Sequence, residues 1–220
     1  MCPRVITFHE SGMLVAVALC LVSGTRGVRG VTFLLTCPNP PLVAKVAAAP
    51  SADLVTSLPG FFNDSSAIPF DVYSGYLTVP GPFELTGYDA LSIHYQFHTS
   101  QRDPKKDPVV TWHQGGPGGS SIDVGLYTEM GYFQISDNGF YTNDFAWNKV
   151  ASMLYLESPA GSGSSVGYSA CLKKGETVPC SWDDVSQAEA YAHTLAAFAK
   201  AFPEFASNDL YLTGESYFGQ

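Results

Sequence analysis

Charge is what this sequence has least of. Asp, Glu, Lys and Arg make up 14% of its 220 residues, against roughly 25% in ordinary soluble domains. Lys and Arg number 11 against 20 acidic residues, a net charge of −9. The basic side chains are scattered and draw no patch, which excludes nucleic acid or an anionic membrane surface as the main partner. Long apolar runs are missing too. Met13 to Val22 is apolar for ten residues, too short to span a bilayer, so no integral membrane segment is expected. With Arg4 before it and small residues after it, that run reads as the core of a signal peptide. Ala47-Ala48-Ala49 offers a processing site. Residues 1–49 are therefore expected to be a mostly disordered signal peptide and pro-segment, and residues 50–220 the folded domain. An acidic, weakly charged chain behind such a leader suits the secretory pathway: a vacuole, a lysosome or the extracellular space.

Cysteine is scarce in a way that fits. Cys2, Cys20 and Cys37 precede residue 50, and only Cys171 and Cys180 follow it. In an oxidising compartment this pair can close a short loop, worth about 2–3 kcal/mol by loop entropy. Zinc needs four ligands at metal spacing, and no such set is present. His94 and His98 share a strand face, but four residues of strand separate them by about 13 Å, so they read as exposed residues and not as a metal pair. Nucleotide loops are missing as well. Gly115 to Ser121 lacks the Gly-Lys-Ser/Thr ending of a phosphate loop, and no helix follows Gly161 to Gly167. No cofactor is expected. Asn63-Asp64-Ser65 is a glycosylation sequon in a polar loop.

What the chain does have is 21 glycines, 15 prolines and 45% apolar residues, enough for a sizeable core with many turns. Strand patterns cover Tyr73 to Val79, Ala90 to Phe97, Val109 to Trp112, Val150 to Leu156 and Asp209 to Leu212. Gln101 to Pro108 reads as a solvated charged turn, and Tyr168 to Cys180 as loop. A helix or turn is expected over Asp123 to Met130. The clearest helix is Ser181 to Phe202, with an apolar stripe of Val185, Ala188, Ala192, Leu195, Ala199 and Phe202. Ser181 reads as its N-cap, and Pro203 stops it. Strand, helix and strand with so long a crossover implies parallel strands.

The last of these strands runs into Gly214-Glu215-Ser216-Tyr217-Phe218-Gly219. A serine on a sharp strand-to-helix turn has its hydroxyl lifted clear of the sheet, where it can act as a nucleophile. Acyl transfer also needs two donors where the oxyanion forms. The amide of Tyr217 is one candidate, and the loop Gly115-Gly116 after the strand Val109–Trp112 can bring the other close.

Taken together, Trp112 to Ser121, Trp147-Asn148-Lys149-Val150, Leu154 to Gly161, Phe202-Pro203-Glu204-Phe205 and Gly214-Glu215-Ser216-Tyr217 resemble the serine carboxypeptidase family, in the family's order, from about residue 55 onward. The resemblance implies an α/β-hydrolase fold: a mixed, mostly parallel sheet with flanking helices, here cut off after the nucleophile elbow. It implies a serine-type carboxypeptidase acting at acid pH on peptides or proteins with a free C-terminus. Ser216 matches the nucleophile, and Gly116 and Tyr217 match the oxyanion-hole amides. Gln114, Gly115 and Glu215 fall where the family binds the substrate's terminal carboxylate, and Glu129 matches the acid paired with Glu215. Three positions depart from the family's usual residues: Gln114 stands for Asn, Gly119 for Cys and Phe218 for Ala.

In this fold the triad acid and histidine follow the serine. All five histidines here (His9, His94, His98, His113 and His193) precede Ser216, and four residues follow it. The 220 residues are therefore expected to be the N-terminal part of such an enzyme, inactive alone. Two alternatives share the same residues: a family acyltransferase using ester donors, and a non-catalytic binding protein. The sequence leaves the oligomeric state open.

Overall fold

The computed structural model describes residues 5–10, 13–18, 50–62, 67–162 and 168–220. Its centre is a run of three parallel strands, two of them buried along nearly their whole length. The strands are β5 (Val109–His113), β8 (Ser152–Leu156) and β11 (Leu210–Gly214), with β5 in the middle. Two long strands, β3 (Val72–Pro80) and β4 (Ala90–His98), extend the sheet antiparallel beyond β8. The sheet is thus mixed, with its parallel part where the site lies.

Alternation along β8 explains the layers. Leu154 and Leu156 point into the larger core beneath the helix α1 (Asp184–Ala201), with Tyr95, Phe97, Phe198 and Phe202. Met153 and Tyr155 point the other way, under a helical turn at Ser121–Met130, with Trp112, Ile122 and Leu126. Aromatic packing dominates the first core: Phe97 meets Phe202 at 5.0 Å and Phe198 at 5.1 Å between ring centroids. A smaller apolar cluster joins Phe62, Phe70 and Val72 to Phe133, at the start of the hairpin β6 (Phe133–Ser136) and β7 (Gly139–Thr142).

The expected strands are present, and several details differ. The buried face of α1 is Ser186, Ala190, Thr194 and Phe198, while Val185 is 67% exposed. Hydroxyls hid that face from a hydropathy reading. Thr194 returns its hydroxyl to the Ala190 carbonyl at 2.8 Å, so the side chain enters the core already satisfied. The N-cap is Asp183, not Ser181: its carboxylate accepts the Ser186 amide at 2.8 Å, and the Ser186 hydroxyl accepts the Asp183 amide in return at 3.0 Å. Tyr168 to Cys180 is not all loop. It carries a hairpin, β9 (Ala170–Lys173) and β10 (Glu176–Val178), which pairs with the start of β4. Lys174 and Gly175, both at positive φ, form its tight turn.

His98 is buried and not exposed, because its strand face lies under the rings of Phe70, Phe133 and Tyr155; His94 is half-buried between Tyr76 and Tyr168. The connector after β4 is tied down by Asp107, which accepts from the Ser100 hydroxyl, the Arg102 guanidinium and the Asp103 amide. Cys171 and Cys180 form a disulfide, with 5.6 Å between their Cα atoms. It fastens the β9–β10 hairpin to the segment leading into α1.

Within the stretch read as leader, the backbone of β1 (Val5–Glu10) and β2 (Met13–Ala18) makes an antiparallel hairpin. It meets β11 at the single register pair Leu210 with Val15. The apolar strand β2 lies beside the outer edge of β11, which has no other partner among the described residues. The remainder of 1–49 and the sequon at Asn63 lie outside the described residues.

Candidate active site

The site is built where β11 ends beside β5. Register pairs Thr213 with Trp112 and Gly214 with His113, so the segments that leave these strands emerge side by side. Beyond Gly214 the chain turns sharply. The Glu215 amide donates to the His113 carbonyl at 3.2 Å, and the Phe218 amide donates to the Glu215 carbonyl at 3.1 Å. Ser216 sits at φ +55°, a left-handed conformation unfavourable for any residue with a Cβ. Its side chain is exposed at the tip. A sharp strand-to-turn reversal thus carries Ser216 at its exposed tip.

Gly115 packs directly on that turn. A Cβ there would lie 2.7 Å from the Glu215 carbonyl oxygen, 2.8 Å from Ser216 Cβ and 2.8 Å from the Tyr217 nitrogen. The loop can touch the elbow only because residue 115 is glycine. Gly116 follows at φ +115°, and the Gly119 amide closes the loop on the Gly115 carbonyl at 2.9 Å. Among the described residues neither the Gly116 amide nor the Tyr217 amide donates to a backbone carbonyl. Both remain available to an oxyanion beside Ser216. Gly119 also lacks room for a side chain, since a Cβ would lie 2.8 Å from the Gly115 carbonyl oxygen.

The polar groups expected at the carboxylate end come together as well. Gln114 is held at both ends of its amide. Its oxygen accepts from the Trp112 indole at 3.2 Å, and its nitrogen donates to a Glu215 carboxylate oxygen in a short contact. Glu129, near the end of the helical turn 121–130, faces the same group. Burial first, and then the negative charge of Glu215, push its carboxyl above the ordinary range, with the Gln114 amide pulling the other way. Glu129 in that position therefore holds its proton to a higher pH than a free glutamate does.

Beneath the loop is a carboxylate that sequence reasoning missed. Glu157, at the end of β8, is fully buried; it accepts the Ser120 hydroxyl at 2.5 Å and the Ile122 amide at 2.9 Å. Burial pushes its pKa up, and nearby Asp123 adds to the rise. It anchors the turn that follows the glycine loop, and Ser121 in that turn accepts the Gln114 amide at 3.2 Å. The sequence signals were its place in the family-like run Leu154 to Gly161 and a charged residue closing an otherwise apolar strand. Among the described residues no cluster of three His, Cys, Asp or Glu is placed to hold a metal, and no helix is long and apolar enough to cross a membrane.

The sequence pattern of the serine carboxypeptidase family matches residues 59–220. The chain belongs to the serine carboxypeptidase family. The lysosomal protective protein of Mus musculus is 43% identical over 174 residues, covering 78% of this chain and 32% of that protein. Serine carboxypeptidase 1 of Hordeum vulgare is 40% identical over 179 residues, covering 78% of this chain and 32% of its own length. Among solved structures, a prohormone-processing carboxypeptidase from Saccharomyces cerevisiae superposes with a TM-score of 0.60 at 24% identity, over 79% of this chain and 37% of that one. The fold is accordingly the α/β-hydrolase fold of serine carboxypeptidases. The chain spans about a third of the length of the curated relatives it matches.

Proposed function

We propose that this chain is the nucleophile-bearing part of a serine carboxypeptidase that removes C-terminal residues from peptides through an acyl-enzyme at acid pH. The observation that supports this reading is the close approach of Gly115 to the elbow, where a Cβ would lie only 2.7–2.8 Å from the Glu215 carbonyl oxygen, Ser216 Cβ and the Tyr217 nitrogen. In the reaction Ser216 Oγ attacks the last peptide carbonyl, and its proton passes to a histidine base. The oxyanion is held by the amides of Gly116 and Tyr217, and the C–N bond breaks as the same proton reaches the leaving amine. Water then hydrolyses the ester and regenerates the hydroxyl. Among the described side chains no histidine hydrogen-bonds Ser216, and His113 is buried. The reading therefore requires a histidine and an acid that no described side chain supplies at Ser216 before the serine can turn over a substrate.

Gln114, Gly115, Glu129 and Glu215 bind the substrate's terminal carboxylate. While Glu129 keeps its proton it donates to that carboxylate; once ionised, it repels it. Peptide binding thus weakens as pH rises. The signal-like apolar run and the disulfide support a location in the secretory pathway, in a lysosome, a vacuole or outside the cell. The test uses the full open reading frame that contains this chain, assayed on an N-blocked dipeptide. The reading predicts release of the C-terminal amino acid and a KM that climbs from pH 4 to 7. A blocked ester without a free carboxylate should show no such climb. A flat peptide KM would count against the carboxylate site, and acyl transfer to an alcohol with no hydrolysis would favour an acyltransferase.

A further inference from the structure

A left-handed serine at an exposed turn persists only if its surroundings over-determine it, because residues with a Cβ rarely adopt that conformation unsupported. The backbone supplies two hydrogen bonds across this turn, from Glu215 and Phe218, and both lie where the chain is largely exposed. The side chains supply more. Two residues beyond Ser216, the Phe218 ring lies flat on the buried His113 ring, 4.5 Å between centroids and 13° between planes. Tyr191 of α1 closes the group edge-on, 4.5 Å from His113 and 5.9 Å from Phe218. The Tyr191 hydroxyl is itself fixed to Thr111 at 3.1 Å.

His113 is the last residue of β5 and immediately precedes Gln114, Gly115 and Gly116. Its carbonyl takes the Glu215 amide while its ring takes Phe218, so one residue grips the elbow on both sides of Ser216. The fit is close. A Cβ on Gly214 would fall 2.3 Å from Phe218 Cδ1 and 2.6 Å from the His113 carbonyl oxygen. The ring therefore fills the hollow that the glycine leaves.

We propose that Phe218 is a positioning residue for Ser216: its stack on His113 locks the nucleophile turn to the strand that carries the oxyanion loop. The inference rests on the reading of Ser216 as nucleophile. It makes the distance from Ser216 to the Gly116 and Tyr217 amides depend on an aromatic contact behind the site, and a misplacement of about 1 Å costs on the order of a hundredfold in rate.

The experiment takes the full open reading frame, titrates active serines with a fluorophosphonate, and compares kcat per titrated site for wild type, Phe218→Ala, Phe218→Leu and Phe218→Tyr. Leucine keeps apolar bulk without a flat face and covers the case in which the alanine variant does not fold. The expected result is a fall of about 10- to 100-fold in kcat for Ala and Leu, KM within twofold, and recovery in Tyr. The His113 ring protons, shifted upfield by the stacked ring in wild type and Tyr, should move downfield in Ala and Leu. A purely structural role would lower the titrated fraction and leave kcat per site unchanged; that result overturns the proposal. So does loss of kcat with the His113 signals unmoved. A folded wild-type protein that takes no fluorophosphonate refutes the nucleophile reading itself, and the proposal with it.

Discussion

Replacing Gly115 by alanine tests the contact on which the site is built. The added Cβ would lie 2.7–2.8 Å from the Glu215 carbonyl oxygen, Ser216 Cβ and the Tyr217 nitrogen. Two of these atoms are backbone and the third is anchored to it, so none can rotate away. Relief requires the loop and the elbow to separate by more than half an ångström. Overpacking of this kind costs about 1–3 kcal/mol, and each kcal/mol lowers Tm by roughly 2–4 °C in a domain of this size. Two neighbours calibrate the loss. A Cβ on Gly118 would meet nothing within 4 Å, but the residue sits at φ +94°, so Gly118→Ala should cost about 1–2 kcal/mol from backbone strain alone. Gly219 has neither a close neighbour nor a positive φ, and Gly219→Ala should be close to neutral. Urea and thermal unfolding followed by circular dichroism give all three values. A Gly115→Ala protein as stable as Gly219→Ala would refute the close approach of loop and elbow.

Further outcomes follow from the core and the buried carboxyls. Phe202→Ala, which removes a fully buried ring packed on Phe97 and Phe198, should cost about 3–5 kcal/mol by urea unfolding. Replacing Cys171 and Cys180 together by serine opens a loop with a sequence separation of 9 and should cost about 2–3 kcal/mol. Glu157 has its pKa raised by burial, so its contribution is complete below the ordinary glutamate range and is lost as pH rises through its folded value. Glu157→Gln should therefore gain on wild type more at pH 7 than at pH 4, read from urea midpoints. His98 and His113, lowered to about 3 by burial, act in the opposite sense: stability falls as pH drops from about 6.5 toward 3.

Much of the fold was legible because apolar strands and punctuating glycines carry it. The strands Val109–His113 and Ser152–Leu156 are short apolar runs bounded by turns, and burial on both faces demands that pattern, whereas Leu210–Gly214 fully buries only Leu210 and leaves Tyr211 exposed. Gln114, Gly115, Gly116, Glu129, Glu215, Ser216 and Tyr217 stood out as candidates through motifs, and they lie together at one end of the sheet. What escaped depends on contacts that cross the chain. The buried face of α1 runs through Ser186 and Thr194, whose hydroxyls are satisfied locally. His98 is buried by rings from Phe70 and Phe133, far away in sequence. The grip of Phe218 on His113 spans 105 positions, and neither residue's neighbours announce it. Glu157 looked like the polar end of a strand, although its partners lie in the turn after the glycine loop.

The central claim is that Ser216 is the nucleophile of a serine hydrolase. The most direct test treats the full open reading frame with a fluorophosphonate at acid pH and locates the adduct by peptide mass spectrometry. The account predicts one adduct, on Ser216, formed by the folded protein, absent after denaturation and absent in Ser216→Ala. A folded protein that stays unlabelled, or one labelled on another residue and equally so in Ser216→Ala, would contradict it.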